Sequence, residues 1–331
     1  MHPLPLPLRR GIAALATTLT AVLLAGCSSG ETAEQAPATA GFPRTVEHFR
    51  GTTTLDSPPL RVVALDTSYA DATLLLESEL VGYVDYRTEG LPDYLGDTRE
   101  QFAADATSVG AVSDASLEKV AALQPDLILS ADVRDGENYD KLSAIAPTVF
   151  SQSTGPTWKD NIRLAARALG KEDLAEQKIA DYEARAKAIG DEINATAGNP
   201  TVSVVRFAGE PTARLYRTTS FSGIVLEDAG LARPASQGPD PADPSSIMNA
   251  ISPELIGEAD ADVIFVSMYR DGEGKSEAAA QPFLSNPLWQ NLSGRKVDVD
   301  DSLWMTPVSI QGAHKILDDL ADAFGVDPHT S

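Results

Sequence analysis

Arginines and aromatic side chains stand directly after the predicted strands of this chain. Loops that follow the strands of a parallel α/β sheet face the ligand cleft, and the guanidinium group of arginine binds anionic groups through paired N–H donors. Arginines gathered at strand ends could therefore hold a negatively charged ligand. The candidates are Tyr86, Arg87, Arg134, Arg206, Phe207, Tyr269, Arg270, Trp304 and Met305, with Tyr216 and Phe221 beside a further turn.

Metal-binding and nucleophilic sites find little support in the sequence. His2 and His329 stand near the two ends, and His48 and His314 are far apart, so converging ligands for zinc or manganese are not expected. The Gly-x-Ser-x-Gly turn of serine hydrolases is missing from the sequence. These observations favour a binding protein without enzymatic activity, and an exported hydrolase is the remote alternative.

The strands that would position the candidate side chains are short apolar runs that alternate with helix-like segments. Examples are "RVVALD", "DLILS", "TVSVVRF" and "DVIFVSMY", which are typical of strands buried on both faces. Their alternation with helices predicts parallel α/β sheets. Because the chain is longer than one hydrophobic core usually fills, we expect two lobes.

A long helical segment, 154–198, is predicted to link the lobes. Apolar residues recur with helical spacing from Trp158 to about Ala195, and no proline interrupts them. Gly170 and Gly190 are the weak points, so one bent helix or two consecutive helices would span the segment. This places the N-terminal lobe at 44–153 and the C-terminal lobe at 199–331.

The N-terminal sequence "MHPLPLPLRRGIAALATTLTAVLLAGCSSG" predicts export. Two arginines precede an apolar run of about fifteen residues, which is shorter than the roughly 20 that span a membrane. "LAGC" resembles the lipobox of bacterial lipoproteins, so we expect cleavage of a signal peptide at 1–26 and diacylglyceryl modification of Cys27, the only cysteine. A flexible tether would follow at 27–43. The partial twin-arginine pattern leaves both the Sec and the Tat route open.

The composition is strongly acidic, with 48 acidic and 26 basic side chains and a formal net charge of -22. Nucleic-acid binding requires a concentrated basic surface. The sequence therefore argues against a nucleic-acid partner.

Two stretches of the chain echo each other. In "LEKVAALQPDLILS" and "PELIGEADADVIFVS" a glutamate opens a short amphipathic run, and an aspartate follows eight residues later, just before the strand. The pairs are Glu118 with Asp126 and Glu254 with Asp262. One copy falls in each predicted lobe.

Together with "SPPLRVVALD", "LVGYVDY", "FSGIVLEDAGLARP" and "NPLWQNLSGRKVDVDDSLW", these motifs resemble the iron-siderophore substrate-binding lipoproteins of ABC importers. This family is related to vitamin B12 and haem binders. The resemblance implies a class III periplasmic binding protein fold, in which one long helix joins two α/β lobes around a ligand cleft. It also implies a monomer without a cofactor that captures a ferric siderophore and is anchored by lipid to the outer face of the cytoplasmic membrane.

The resemblance also implies roles for particular residues. Arg87, Arg206 and Trp304 would contact the siderophore, with Tyr86, Tyr216, Phe221 and Tyr269 as further contacts. Because iron enters as a preformed chelate, no protein side chain needs to bind the metal. Glu118 and Glu254 would dock on arginines of the ABC transporter permease. Without the resemblance, each glutamate is explained by the helix dipole, which is worth about 0.3–1 kcal/mol.

Several alternatives remain open. Haem or a corrinoid could replace the siderophore, and a surface adhesin would bind no small ligand. The sequence leaves open whether a siderophore ligand is a hydroxamate, a catecholate or a mixed chelate.

Overall fold

The computed structural model describes residues 41–87 and 89–330. The predicted signal peptide, Cys27 and most of the predicted tether lie outside these residues. Within the described part of the chain, no helix combines the length and apolar character needed to cross a membrane.

The N-terminal lobe begins with an antiparallel hairpin and continues into a six-stranded sheet of order β6-β5-β4-β3-β7-β8. Only β6 runs antiparallel to its neighbour. The elements in chain order are β1 (Arg44–His48), β2 (Gly51–Leu55), β3 (Val62–Ala64), α1 (Thr67–Leu75), β4 (Leu80–Asp85), α2 (Gly96–Phe102), β5 (Thr107–Ala111), β6 (Asp114–Ala115), α3 (Leu117–Ala122), β7 (Leu127–Ala131), α4 (Asp132–Asp135), α5 (Tyr139–Ser143) and β8 (Thr148–Ser151).

The linking segment consists of two consecutive helices, α6 (Trp158–Leu169) and α7 (Glu172–Ala197), which is one of the two alternatives that the sequence allowed. Gly170 ends α6 in the left-handed conformation, with φ 72. Helix α7 continues through Gly190. A Cβ at this position would lie 1.6 Å from the carbonyl oxygen of Ala229, so no larger residue fits. Glycine at this position lets the long helix pack closely against the C-terminal lobe.

The C-terminal lobe contains a five-stranded sheet of order β11-β10-β9-β12-β13, whose strands β9, β12 and β13 are parallel. A 3-10 helix at Pro253–Ala259 replaces the regular helix expected there. The elements are β9 (Val202–Phe207), β10 (Ala213–Tyr216), α8 (Phe221–Asp228), β11 (Met248–Ile251), β12 (Val263–Met268), α9 (Lys275–Leu284), α10 (Pro287–Gln290), β13 (Arg295–Val299), α11 (Asp301–Trp304) and α12 (Ile310–Phe324).

The final helix joins the lobes. One face of α12 packs on α1 of the N-terminal lobe, and other positions pack on α7 and α8. Buried residues of both lobes and of the linking helices therefore form one continuous hydrophobic cluster. The predicted fold class, two α/β lobes joined by a long helical segment, is confirmed.

Candidate functional site

A cavity of about 1110 Å³ lies between the two lobes. Its N-terminal wall comes from α1, β4, residues 86–87 and residues 89–95, and its C-terminal wall comes from the ends of β12 and β13, from residues 300–303 and from Thr306. The cavity thus lies where the loops after the central strands meet, as expected for a parallel α/β sheet. It is large enough for a ligand well above the size of a bare ion.

Arg87 spans this cavity from the N-terminal wall. Its guanidinium carbon lies 4.0 Å from the ring centroid of Tyr269, in the opposite lobe, and 5.4 Å from that of Tyr86. Among the residues that the structure describes, no carboxylate oxygen lies within 4.0 Å of its guanidinium nitrogens. Arg87 also adopts a left-handed backbone, with φ 65, which is uncommon for a residue with a side chain. The structure therefore brings together four of the candidates, Tyr86, Arg87, Tyr269 and Arg270, on the cavity lining.

Arg206 does not line the cavity. Its side chain is only 3% exposed and donates to both carboxylate oxygens of Asp301, with nitrogen–oxygen distances of 2.6 and 2.7 Å. The third nitrogen donates to the hydroxyl oxygen of Tyr216 at 3.0 Å, and the Oγ of Ser267 donates to Asp301 at 2.7 Å. Burial alone would lower the pKa of Arg206, but the hydrogen bonds to Asp301 outweigh it and raise the pKa above its ordinary value. Tyr216 thus holds Arg206, and Arg206 and Ser267 hold Asp301, which does line the cavity.

Trp304 and Phe221 point into the core, in contrast to the expectation that both contact ligand. Trp304 is fully buried; its ring lies 4.8 Å from that of Phe265, and its indole N–H donates to Asp319 at 2.7 Å. Phe221 opens α8 and packs its ring against Trp158, at a centroid distance of 5.7 Å. Each aromatic ring finds an apolar partner away from the cavity, so neither belongs to the lining.

The N-terminal lobe contains a second ion pair, between the partly exposed Arg134 and the buried Asp66. The Nε of Arg134 donates to Asp66 at 2.7 Å, while the other oxygen of Asp66 accepts the backbone N–H of Ser68 at 2.9 Å and so caps α1. Burial by itself would lower the pKa of Arg134, but the charge of Asp66 raises it. Arg134 therefore fixes the start of α1 and does not line the cavity.

Asp71 is a buried carboxyl group without such a partner. It lies on α1 beside the start of α12, where Nε2 of Gln311 is 3.5 Å from its Oδ1. Its Oδ2 has no hydrogen-bond partner among the described residues. Burial raises the pKa of Asp71 to about 7, although hydrogen bonds from the α12 side act in the opposite direction. Nearby, the hydroxyl of Thr67 donates to the carbonyl oxygen of Thr306 at 2.8 Å, so this region is a polar contact between the lobes.

The sequence analysis missed the acidic side of the cavity. Glu89, Asp298, Asp300 and Asp301 line it, as do apolar residues of the loop 91–95. The position that identified the arginines, directly after a strand, also applies to 300–301, which follow β13. Extending that rule to carboxylates would have identified Asp300 and Asp301, but not Asp298, which lies within β13, or Glu89, which lies four residues beyond β4.

No group of three or more histidine, cysteine, aspartate and glutamate side chains within the described ranges could hold a metal ion. His48 lies in the N-terminal hairpin, 2.9 Å from Oγ1 of Thr53. His314 contacts the guanidinium of Arg185 at 3.1 Å, and burial together with that charge lowers the pKa of His314 to about 4.

The two echoing stretches have matching geometry. Glu118 and Glu254 are both exposed at the start of their helices, and a hydrogen bond from Ser252 lowers the pKa of Glu254. The two aspartates hold the start of the neighbouring strand. Asp126 accepts the backbone N–H groups of residues 60 and 61, both at 2.8 Å, and Asp262 accepts that of Thr201 at 2.7 Å.

A ligand-sized cavity between two α/β lobes that are joined by consecutive helices defines a two-lobed solute-binding protein. The chain belongs to the periplasmic binding protein family, which it matches over residues 62–296. The predicted family and the class III fold are thereby confirmed.

Relatives and solved structures agree with this assignment. The chain is 35% identical to the probable siderophore-binding lipoprotein YfiY of Bacillus subtilis, over 96% of this chain and 99% of the relative. It is 28% identical to the Fe(3+)-citrate-binding protein YfmC of the same organism, over 86% and 88%. The crystal structure of Staphylococcus aureus SirA complexed with staphyloferrin B superposes with a TM-score of 0.77 at 27% identity, covering 86% of this chain and 100% of that one.

Proposed function

We propose that this protein captures a ferric siderophore outside the cytoplasm and delivers it to the permease of an ABC importer, without chemical conversion. The observation that carries the proposal is the cavity of about 1110 Å³ between the lobes, crossed by Arg87 and Tyr269. Its size suits a chelate. The names of the relatives, which include siderophore and ferric citrate binders, support the same ligand class.

Ligand contacts in this proposal come from both lobes. Tyr86 and Arg87 approach from the N-terminal wall and Tyr269 from the C-terminal wall. The guanidinium of Arg87 donates to the negatively charged oxygens that coordinate iron, while the tyrosine rings cover the apolar parts of the chelate. Arg206 and Tyr216 act indirectly, because Arg206 orients Asp301 and Tyr216 holds Arg206.

Membrane attachment and docking complete the proposal. Lipid on Cys27 keeps the protein, as a monomer, beside its transporter, since each buried methylene of an acyl chain contributes about 0.8 kcal/mol. Glu118 and Glu254, one exposed carboxylate on each lobe, contact arginines of the permease. Their exposure and the equivalent position at a helix start support this role.

Calorimetric titration tests the ligand class. The soluble chain without the signal peptide is titrated with ferric hydroxamate, catecholate and citrate chelates, and with haem and a corrinoid. At least one ferric chelate is expected to bind with a micromolar or lower Kd. Binding of haem or the corrinoid alone would assign the alternative ligand, and binding of none would overturn the proposal.

Charge reversal tests the docking role. The Glu118→Lys/Glu254→Lys variant is expected to bind the chelate normally and to abolish iron uptake by cells. Asp97→Lys/Asp173→Lys is the matched control, because both residues are exposed acidic side chains in the first turn of a helix. Uptake that survives reversal at Glu118 and Glu254 would leave the helix dipole as the explanation of these glutamates.

A further inference from the structure

The ionisable side chains that line the cavity are mainly acidic. The basic ones are Arg87, Arg270 and Lys315, whereas the acidic ones are Glu89, Asp93, Asp298, Asp300 and Asp301. A site for a highly anionic ligand would carry the opposite balance, because a bound anion needs compensating positive charge.

Some of these carboxylates form ion pairs with a basic side chain and others do not. Asp301 is neutralised by Arg206, and Asp93 lies 2.8 Å from Arg99. Glu89, Asp298 and Asp300 have no cationic nitrogen within 4.0 Å among the residues that the structure describes. Three lining carboxylates are therefore without a neighbouring cation among the described residues.

Two of the three basic side chains are already engaged or point to solvent. Lys315 lies 3.4 Å from Asp318. The side chain of Arg270 is 86% exposed and lies 3.9 Å from Glu277. Arg87 is the lining cation without a carboxylate partner in the described part of the chain, and its charge rests against the rings of Tyr86 and Tyr269.

The charge of a ferric chelate depends on its iron ligands. Three hydroxamates, each with one negative charge, neutralise the ferric ion, whereas three catecholates, each with two, leave a trianion. Uncompensated carboxylates repel a trianion more than they repel a neutral complex.

We propose that the cavity selects a ferric chelate of low net charge, in which hydroxamates supply most of the iron ligands, over a ferric tris-catecholate. The inference rests on the proposed function and adds the chemical class of the siderophore. One free arginine can donate to the hydroxamate oxygens. The apolar lining, which includes Val84, Leu91 and Met268, covers the aliphatic spacers of such a chelate.

Titration at two salt concentrations tests this selectivity. The probes are two tris-hydroxamates, ferrichrome and ferric desferrioxamine, and one tris-catecholate, ferric enterobactin. At low salt, at least one tris-hydroxamate is expected to bind about 100-fold more tightly than ferric enterobactin. Because salt screens charge over about 10 Å at 0.1 M, added salt is expected to narrow this difference by strengthening the binding of ferric enterobactin.

The double variant Glu89→Gln/Asp298→Asn links the selectivity to the carboxylates. It is expected to raise the affinity for ferric enterobactin about tenfold and to change that for the tris-hydroxamates less. Asp97→Asn/Asp173→Asn, outside the cavity, is the control. Two results would overturn the selectivity while leaving the proposed function in place. One is that ferric enterobactin binds as tightly as both tris-hydroxamates, and the other is that added salt weakens the binding of ferric enterobactin. Binding of none of the probes or other ferric chelates would overturn the proposed function and this inference with it.

Discussion

Arg87 and Arg206 both lie near the end of a strand, one in each lobe, but differ in availability. Arg87 comes two residues after β4, and Arg206 is the second-last residue of β9. Arg87 lies on the lining without a carboxylate partner in the described chain, stacked on Tyr269. Arg206 is buried and makes two hydrogen bonds to Asp301, a residue 95 positions further along the chain.

The difference shows that a position at the end of a strand predicts only roughly where a charged side chain lies. Whether that side chain is available to a ligand depends on its partners, which come from distant parts of the chain. Buried carboxylates follow the same rule. Asp301 and Asp66 each face an arginine, whereas Asp71 faces amide and hydroxyl groups, and its pKa is raised to about 7. The charged residues of the protein thus fall into two groups: those with an oppositely charged partner, such as Arg206 and Asp301, and those without one among the described residues, such as Arg87 and Asp71.

Removing one member of the Arg206–Asp301 pair is expected to have the largest effect on stability. Arg206→Ala or Asp301→Ala leaves an uncompensated charge in a buried site, which costs about 3–5 kcal/mol of the free energy of unfolding. Urea unfolding of the two variants measures this loss.

The double variant Arg206→Met/Asp301→Leu provides the critical comparison, because replacing a buried pair with apolar residues restores most of the loss. Arg163→Ala is the control, since its pair with Glu176 is partly exposed and such pairs are worth about 1 kcal/mol or less. A loss below about 1 kcal/mol for both single variants at the buried pair would contradict the assigned role.

Much of the fold could be predicted because the central strands are apolar on both faces. The runs that form β3, β7, β9 and β12 are buried almost throughout, so hydrophobic pattern and structure coincide. The hairpin β1–β2 and the short antiparallel strands β6, β10 and β11 were missed. Short edge strands with mixed composition carry no comparable periodic signal.

The site was only partly predictable for a different reason. Sequence position placed Tyr86, Arg87 and Tyr269 correctly beside the cavity. It could not show that Trp304 turns toward Asp319, because that hydrogen bond joins α11 to a later helix. The two echoing stretches also share a structural role, since Asp126 and Asp262 each hold the residue just before an adjacent strand.

Asp71 gives a pH-dependent test of a carboxyl group without a cationic partner. Its folded-state pKa of about 7 lies above the ordinary value of 3.8, so the folded state binds the proton more tightly. Its contribution to stability is therefore complete below about pH 4, declines as the pH rises, and is lost above about pH 7. Asp71→Asn removes the ionisation and is expected to be more stable than the parent at pH 8, by roughly 4 kcal/mol.

Unfolding free energies of both proteins between pH 4 and pH 8 check this expectation. The difference between Asp71→Asn and the parent should grow from about pH 4 to about pH 7 and then level off. A difference that stays constant with pH would show that Asp71 does not take up a proton in the folded state.

Arg87→Gln is expected to have the smallest effect in free energy and to act on binding alone. Because Arg87 makes no ion pair among the described residues and lies on the cavity lining, its loss should leave the free energy of unfolding nearly unchanged. A hydrogen bond to a charged group is worth about 1.5 kcal/mol, so the Kd for the bound chelate should rise about tenfold. Calorimetric titration measures that change, with Arg163→Gln on the distant surface as control. An unchanged Kd combined with a lower free energy of unfolding would contradict this prediction. Arg87 would then have a structural role, as Arg206 does, and no role in binding.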